Sequence, residues 1–163
     1  MPLPFNDEAQ ARFDQGLEAI LRRYPPDQKA AAMLPALRLC QDLAGHLSPA
    51  ALQLVAGRLG VPPARAQEVA TFYSLFFVEP KGAHLVDVCT NLSCSLCGAE
   101  SALAHLEAKL KIRAGQTTPD RRITLREVEC LASCGTGPVM QVDGEYVENL
   151  TAASIDAVLA GLK

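Results

Sequence analysis

The sequence predicts an α+β chain, with helices first and a mixed strand–helix domain after them. Three observations carry this. Apolar residues recur at helical spacing from Phe13 to the aromatic run that ends at Phe77. Beyond residue 83 the period shortens to that of strands, in "HLVDVC" and "ITLREVEC". Between those two lies an amphipathic stretch long enough to serve as a crossover helix.

Asn6 or Asp7 can cap a first helix, whose positions Phe13, Leu17, Ile20, Leu21 and Tyr24 form one stripe before Pro25-Pro26 stops it. A second helix begins near Asp27 and presents Ala30, Met33, Leu34, Leu37, Cys40 and Leu43 on one face. Pro35 inside that pattern predicts a kink or a restart. Ser48 followed by Pro49 is a cap with proline at the first helical position, and it opens a third helix that Gly60 ends. Pro62-Pro63 starts a fourth, "ARAQEVATFYSLFF", which holds four of the eight aromatic residues. Residues 1–77 thus form a helical bundle, and "VEPKGA", residues 78–83, is the linker.

Residues 84–163 form the second domain. "HLVDVC" is a strand ending at Cys89, "SLCGAESALAHLEAKL" a helix, and "ITLREVEC" a strand ending at Cys130. Strand, helix and strand at this spacing predict a parallel pair joined by a right-handed crossover. Asp143-Gly144 between "VMQV" and "EYV" is a strong hairpin signal, and Thr151 caps a last helix, "AASIDAVLAGL". The order β-α-β, then β-β-α, is that of a thioredoxin-like core.

Charge excludes some functions. The formal net charge is −3; residues 1–80 carry seven Lys and Arg against eight acids, and residues 81–163 eight against ten. Neither half offers the basic stripe that phosphate contacts require, so no nucleic-acid partner is expected. "ALQLVAGRLGVPPARAQEVATFY" has the look of a helix-turn-helix, but its would-be recognition helix offers only Arg65, Gln67 and Glu68 as polar reach. No apolar run approaches the roughly 20 residues of a membrane span, and "MPLPFNDEAQARFD" lacks the basic-then-apolar pattern of a secretory signal. A cytoplasmic protein without direct membrane insertion is expected. In that reducing compartment clustered cysteines bind metal or do redox work rather than form structural disulfides.

Five of the six cysteines sit in two short stretches, "CTNLSCSLCG" and "CLASCGTGP". Neighbouring parallel strands present their C-terminal ends on one sheet edge, where α/β folds place ligands. Cys89 with Cys94, and Cys130 with Cys134, are therefore expected to meet there. Four thiolates suit an iron–sulfur cluster or zinc, although zinc favours tighter knuckles than these outer pairs. Gly98, Gly135 and Gly137 permit close backbone approach, and the helix start after Cys94 is expected to offer free amides to a cluster. Two other readings stay open. Cys89, Cys94 and Cys97 spell the C-x4-C-x2-C of plant-type ferredoxins. Cys94-Ser-Leu-Cys97 has thioredoxin dithiol spacing, which leaves Cys130 and Cys134 unexplained.

"VATFYSLFFVEPKG", "VDVCTNLSC" and "ECLASCGTGPVMQVDGEYVENLT" resemble the E-type [2Fe–2S] subunits of NADH-quinone oxidoreductase, respiratory complex I, over nearly the whole chain. The resemblance implies a thioredoxin-like ferredoxin domain with one [2Fe–2S] cluster. By position it implies Cys89, Cys94, Cys130 and Cys134 as the cluster and metal ligands, with Cys97 not needed and no catalytic residue. It further implies electron transfer within an oxidoreductase, beside a partner subunit that binds NADH and FMN. The location implied is cytoplasmic, peripheral to the membrane through the complex. The chain itself shows no G-x-G-x-x-G after a strand and so no nucleotide cradle. Similar subunits of NAD-linked formate dehydrogenases or hydrogenases are the nearest alternative; a thiol-based redox-sensing interaction protein is the alternative of another class.

Some residues have plainer readings. Cys40, on an apolar face, is expected to pack as a small hydrophobe. His46, His84 and His105 are scattered; His84 could reach the cluster edge, but surface or core is the simpler expectation. Phe72, Tyr73, Phe76 and Phe77 are expected to pack in the core rather than form a docking patch. Glu129, beside a ligand, either tunes the potential or faces water.

Overall fold

A computed structural model describes residues 5–162. The outermost bounds expected for the two domains, residues 1 and 163, and the first residues of the stretch read for a secretory signal lie outside the described residues. The chain divides into two compact units, Met1–Pro80 and Lys81–Lys163.

The first unit is helical. Helix α1 (Asp7–Leu21) starts where Asn6 accepts the amide of Ala9 at 2.9 Å, and it buries Phe13 and Leu17. The second helix starts at Met33 rather than near Asp27, two residues before Pro35. A single 3₁₀ turn, Lys29–Ala32, precedes α2 (Met33–Ala44). Pro35 then falls in the first turn, where its missing N–H leaves no bond broken. The buried face of α2 is Met33, Ala36, Leu37, Cys40 and Gln41. Ala30 and Leu34, expected on that face, are exposed. Cys40 is fully buried, and burial pushes its thiol up to about 12. It is therefore a packing residue. Helix α3 (Pro49–Leu59) carries the Ser48 cap and ends at Gly60, which is left-handed at φ 70°.

Helix α4 (Pro63–Phe72) is shorter than its sequence pattern. Tyr73 turns extended, at φ −93° and ψ 121°, and the chain folds back onto α2. There the buried Gln41 carboxamide donates to the Leu75 carbonyl at 3.0 Å and accepts the Phe77 amide at 2.7 Å. The aromatic run is split by this turn. Phe76 is buried, whereas Phe72 is 79% exposed, with its ring edge-on to Tyr73. The core expected for all four therefore takes in Phe76 but not Phe72. Gln41→Ala leaves two backbone groups of the turn unpaired and is expected to cost about 1–3 kcal/mol by denaturant unfolding. Arg65 is held by Glu68 at 2.6 Å, so the one cation of the would-be recognition helix is already compensated.

The second unit is a four-stranded sheet of order β2-β1-β3-β4. Strands β1 (His84–Cys89) and β2 (Ile123–Val128) run parallel, with Cys89 opposite Val128. Gly82 and Ala83, expected in the linker, are tied to this sheet: Gly82 N donates to Thr124 Oγ1 at 2.7 Å and Ala83 N to the Arg121 carbonyl at 3.0 Å. Strand β2 ends before Cys130, not at it as expected. Arg126 grips Asp87 on the facing strand through two 2.7 Å bonds, a bidentate pair that fixes the register. Strands β3 (Met140–Val142) and β4 (Glu145–Val147) form the expected hairpin, with Asp143 at φ 53° and Gly144 at φ 91°. Those positive angles are the ones a two-residue primed turn needs.

The expected single crossover helix is two helices. A short α5 (Leu92–Leu96) ends at Cys97, and Gly98, at φ 95°, redirects the chain into α6 (Ala99–Leu110). Helix α7 (Ala152–Gly161) starts on a reciprocal Thr151–Ser154 capping box. Val86, Val88, Leu106, Leu125, Met140 and Ile155 form the core of this unit.

Candidate metal centre

Parallel pairing delivers both cysteine stretches to one edge of the sheet. Cys89 ends β1, buried, with its amide bonded to the Val139 carbonyl at 3.1 Å. Asn91 caps α5 by accepting the Leu92 amide at 2.9 Å. The short helix turns Cys94 inward, 2% exposed, and Leu92 and Leu96 outward, 71% and 80% exposed. Cys97 caps its C-terminal end and is exposed. Cys130 and Cys134, on the loop after β2, are exposed as well.

Contacts join the two stretches. Cys89 Sγ donates to the Glu129 carbonyl at 3.9 Å and accepts the amides of Asn91 and Leu131. The residues on either side of Cys130 therefore both touch Cys89. Cys89 and Cys94 hydrogen-bond each other, and Cys134 lies within electrostatic reach of Cys94. The Val139 amide donates to Cys94, and the Ala132 amide reaches Cys130 Sγ at 3.3 Å. Gly137, which precedes a cis-proline peptide, lies against Cys94 and Cys97: a Cβ there would stand 3.4 Å from Cys94 Sγ and 3.7 Å from Cys97 Cβ.

The electrostatics follow from these contacts. Burial raises the Cys89 pKa, but the Asn91 and Leu131 amides and the Cys94 thiol outweigh it, and the net shift is downward. Cys94 is pushed up by burial first, then by its bond to Cys89 and by the neighbouring thiolate charges, against the Val139 amide. Adjacent thiolates repel, and only a positive core between them lets all of them ionise together. Among the described residues no group of three His, Cys, Asp or Glu side chains is placed to hold a metal ion. Cys89 and Cys94 meet, and Cys134 approaches Cys94 from the second loop. A diiron core, longer than one ion, takes four thiolates, and the amides aimed at sulfur suit its negative charge. The donor set fits a [2Fe–2S] cluster.

Several sequence expectations change here. Of the amides after Cys94, those of Ser95, Cys97 and Gly98 are spent on the Asn91, Ser93, Cys94 and Ser95 carbonyls of α5 and its cap. The sulfur-directed amides belong to Asn91, Leu131, Ala132 and Val139, and a backbone N–H carries no sequence signal. His84 does not reach the site. It starts β1, about 16 Å of strand from Cys89, with Nδ1 at 2.7 Å from the Asp143 carboxylate. His105 bonds Asp156 at 2.9 Å. Glu129 is exposed, and its carbonyl is what meets Cys89.

Known proteins resemble this chain in sequence and fold. The family model for the thioredoxin-like [2Fe-2S] ferredoxin matches residues 17–163. The chain is 47% identical over 147 residues to the E 2 subunit of the Rhizobium meliloti NADH-quinone oxidoreductase, covering 90% of this chain and 86% of that one. It is 41% identical over 148 residues to the NADH-quinone oxidoreductase subunit 2 of Thermus thermophilus, covering 90% and 82%. Among solved structures, the air-oxidized NAD+-reducing [NiFe]-hydrogenase overlays with a TM-score of 0.71 at 25% identity, across 80% of this chain and 22% of that one. The chain thus spans about a fifth of that hydrogenase chain. Sheet order, paired cysteines and family match agree, and the chain belongs to the thioredoxin-like [2Fe–2S] ferredoxin family.

Proposed function

We propose that Cys89, Cys94, Cys130 and Cys134 ligate one [2Fe–2S] cluster, and that the chain uses it to accept single electrons from the reduced flavin of an NADH-binding partner subunit. The chain is an electron-transfer subunit of an NADH-oxidising complex. The cluster would sit in the unit Lys81–Lys163, and the helical unit Met1–Pro80 precedes it. The observation that carries the ligand assignment is the meeting of both cysteine loops at Cys89 Sγ, where the Leu131 amide and the Glu129 carbonyl converge.

A [2Fe–2S] cluster supplies a one-electron station beside a two-electron donor. The work of this chain is to hold the thiolates. Strand β1 and helix α5 bury Cys89 and Cys94 away from water, and low exposure helps set the potential. The Asn91, Leu131, Ala132 and Val139 amides offset negative charge on sulfur. Gly137 leaves room for the backbone to lie close beside Cys94.

Among the described residues no helix is long and apolar enough to cross a membrane. A cytoplasmic place, peripheral to the membrane through the complex, fits that. The hydrogenase overlay favours a second reading, an equivalent subunit of an NAD-linked hydrogenase. The relatives at 41% and 47% identity favour the quinone reductase.

Anaerobic purification of the native complex tests the assignment. Iron and sulfide analysis is expected to give about two irons per chain, with an EPR signal on reduction, and an NADH-oxidising flavoprotein is expected to co-purify. A hydrogen- or formate-oxidising partner overturns the quinone-reductase reading; a chain purified without iron or sulfide overturns the cluster.

A further inference from the structure

The second cysteine pair is delivered from one edge of the sheet and held from the other. In the order β2-β1-β3-β4, β2 and β4 are the two edges. The loop after β2 must therefore cross the ends of β1 and β3 before it can meet β4. It does meet it. Tyr146 Oη, on β4, donates to the Leu131 carbonyl at 2.7 Å. Glu148, one residue beyond β4, accepts from Ser133 Oγ at 2.5 Å and from Thr136 Oγ1 at 2.6 Å with the same oxygen, Oε1. Residues two apart in extended chain share a face, which is how both reach one loop.

The carboxylate closes a triangle, because the two hydroxyl oxygens are themselves 2.7 Å apart. Each hydroxyl has one proton, and a charged acceptor makes the stronger bond. Glu148 is the charged acceptor open to both, although Thr136 Oγ1 also lies 3.2 Å from the Ser133 carbonyl. Ser133 and Thr136 flank Cys134 on its two sides, so the triangle fixes the 3₁₀ turn Cys134–Thr136 on which that cysteine sits. The backbone after Glu148 extends the grip: the Asn149 amide donates to the Thr136 carbonyl at 2.8 Å and the Leu150 amide to the Pro138 carbonyl at 2.9 Å. From residue 127 to residue 162 the sequence contains no Lys or Arg, and the bonds holding the Glu148 side chain come from neutral hydroxyls.

We infer that Glu148, aided by Tyr146, is a positioning residue for the cluster: it locks the turn that carries Cys134. This rests on the ligand assignment proposed above. Two consequences follow for the bound group. A loop already set in place releases metal more slowly, since partners beyond the ligands govern retention as well as orientation. A carboxylate bonded to the turn that carries Cys134 also opposes an arriving electron. That charge lowers the reduction potential, which net charge near the cluster helps control.

The test uses the full chain, purified anaerobically with its cluster, and measures iron release to a chelator together with an EPR-monitored redox titration. Glu148→Ala is expected to release iron about tenfold faster or more. The pair Ser133→Ala with Thr136→Val cuts the same bonds from the loop side and is expected to match it. Glu148→Gln keeps an acceptor without the charge; it should hold iron better than the alanine variant while its potential moves upward. Should Glu148→Ala fail to fold, the loop-side pair and Glu148→Gln carry the test. Release rates and potentials equal to those of the unaltered chain overturn the proposal. So does a lower melting temperature with an unmoved potential, the mark of a merely structural role. Cys134→Ser is the control that separates the two levels: if it keeps its iron, the ligand assignment itself has failed.

Discussion

Serine in place of Cys94 or Cys134 is expected to strip the chain of most of its iron, whereas serine in place of Cys97 is expected to leave about two irons per chain. The expectation comes from where the thiols stand. Cys94 is 2% exposed, bonded to Cys89 and to the Val139 amide, and close enough to Cys134 to feel its charge. On the proposed ligand set, loss of either sulfur would leave its pair with one ligand. Cys97 ends α5 with its side chain exposed, and its amide is spent on the Ser93 and Cys94 carbonyls. Cluster loading and folding are coupled in small metal-binding domains, so iron counts are read beside melting curves. If Cys97→Ser loses the iron while Cys134→Ser retains it, the C-x4-C-x2-C ligand set replaces the one proposed.

Much of this site is legible in the sequence, because cysteine spacing survives whatever the backbone does locally. Two strands that run parallel must present Cys89 and the Cys130 loop at one edge, and β1 pairs with β2 in that sense. Helix starts are legible for a similar reason. Asn6, Ser48 and Thr151 each satisfy a free amide of their own helix, a bond made within three residues. Helix ends are not. The pattern through Phe77 stays helical by apolar spacing, yet Gln41, far back in the chain, captures the Leu75 carbonyl and the Phe77 amide. Gly98 passes for an interior helical residue because one glycine costs a helix only about 1 kcal/mol. Its left-handed angle, which breaks α5 from α6, appears only in the fold. Glu148 escapes for the same reason as Gln41: its hydroxyl partners lie a hairpin away.

Leu106→Ala is expected to destabilise the cluster domain by about 2–5 kcal/mol, a large share of the roughly 5–15 kcal/mol a domain of ordinary stability has. Leu106 is fully buried, midway along α6, among Val86 and Val88 of β1, Leu125 of β2, Met140 of β3 and Ile155 of α7. It belongs to a core shared by three strands and two helices, so the cavity left by truncation has rigid walls and cannot readily collapse. Leu106→Met keeps the volume and is expected to cost less than about 1.5 kcal/mol. The effect reaches the site through α6 itself. Its first residue, Ala99, is buried against Cys89, Cys94 and Val139, so a helix that detaches more often uncovers the inner thiols more often. Hydrogen exchange of the β1 amides measures the opening energy of this sheet alone. Leu106→Ala should lower that energy and speed iron release together. A variant whose β1 amides lose less than about 1 kcal/mol of protection shows that the sheet does not depend on α6 for its cover. Lowered protection with unchanged iron release separates the core from the cysteine end, and it places control of the cluster with the loop bonds around Cys134 instead.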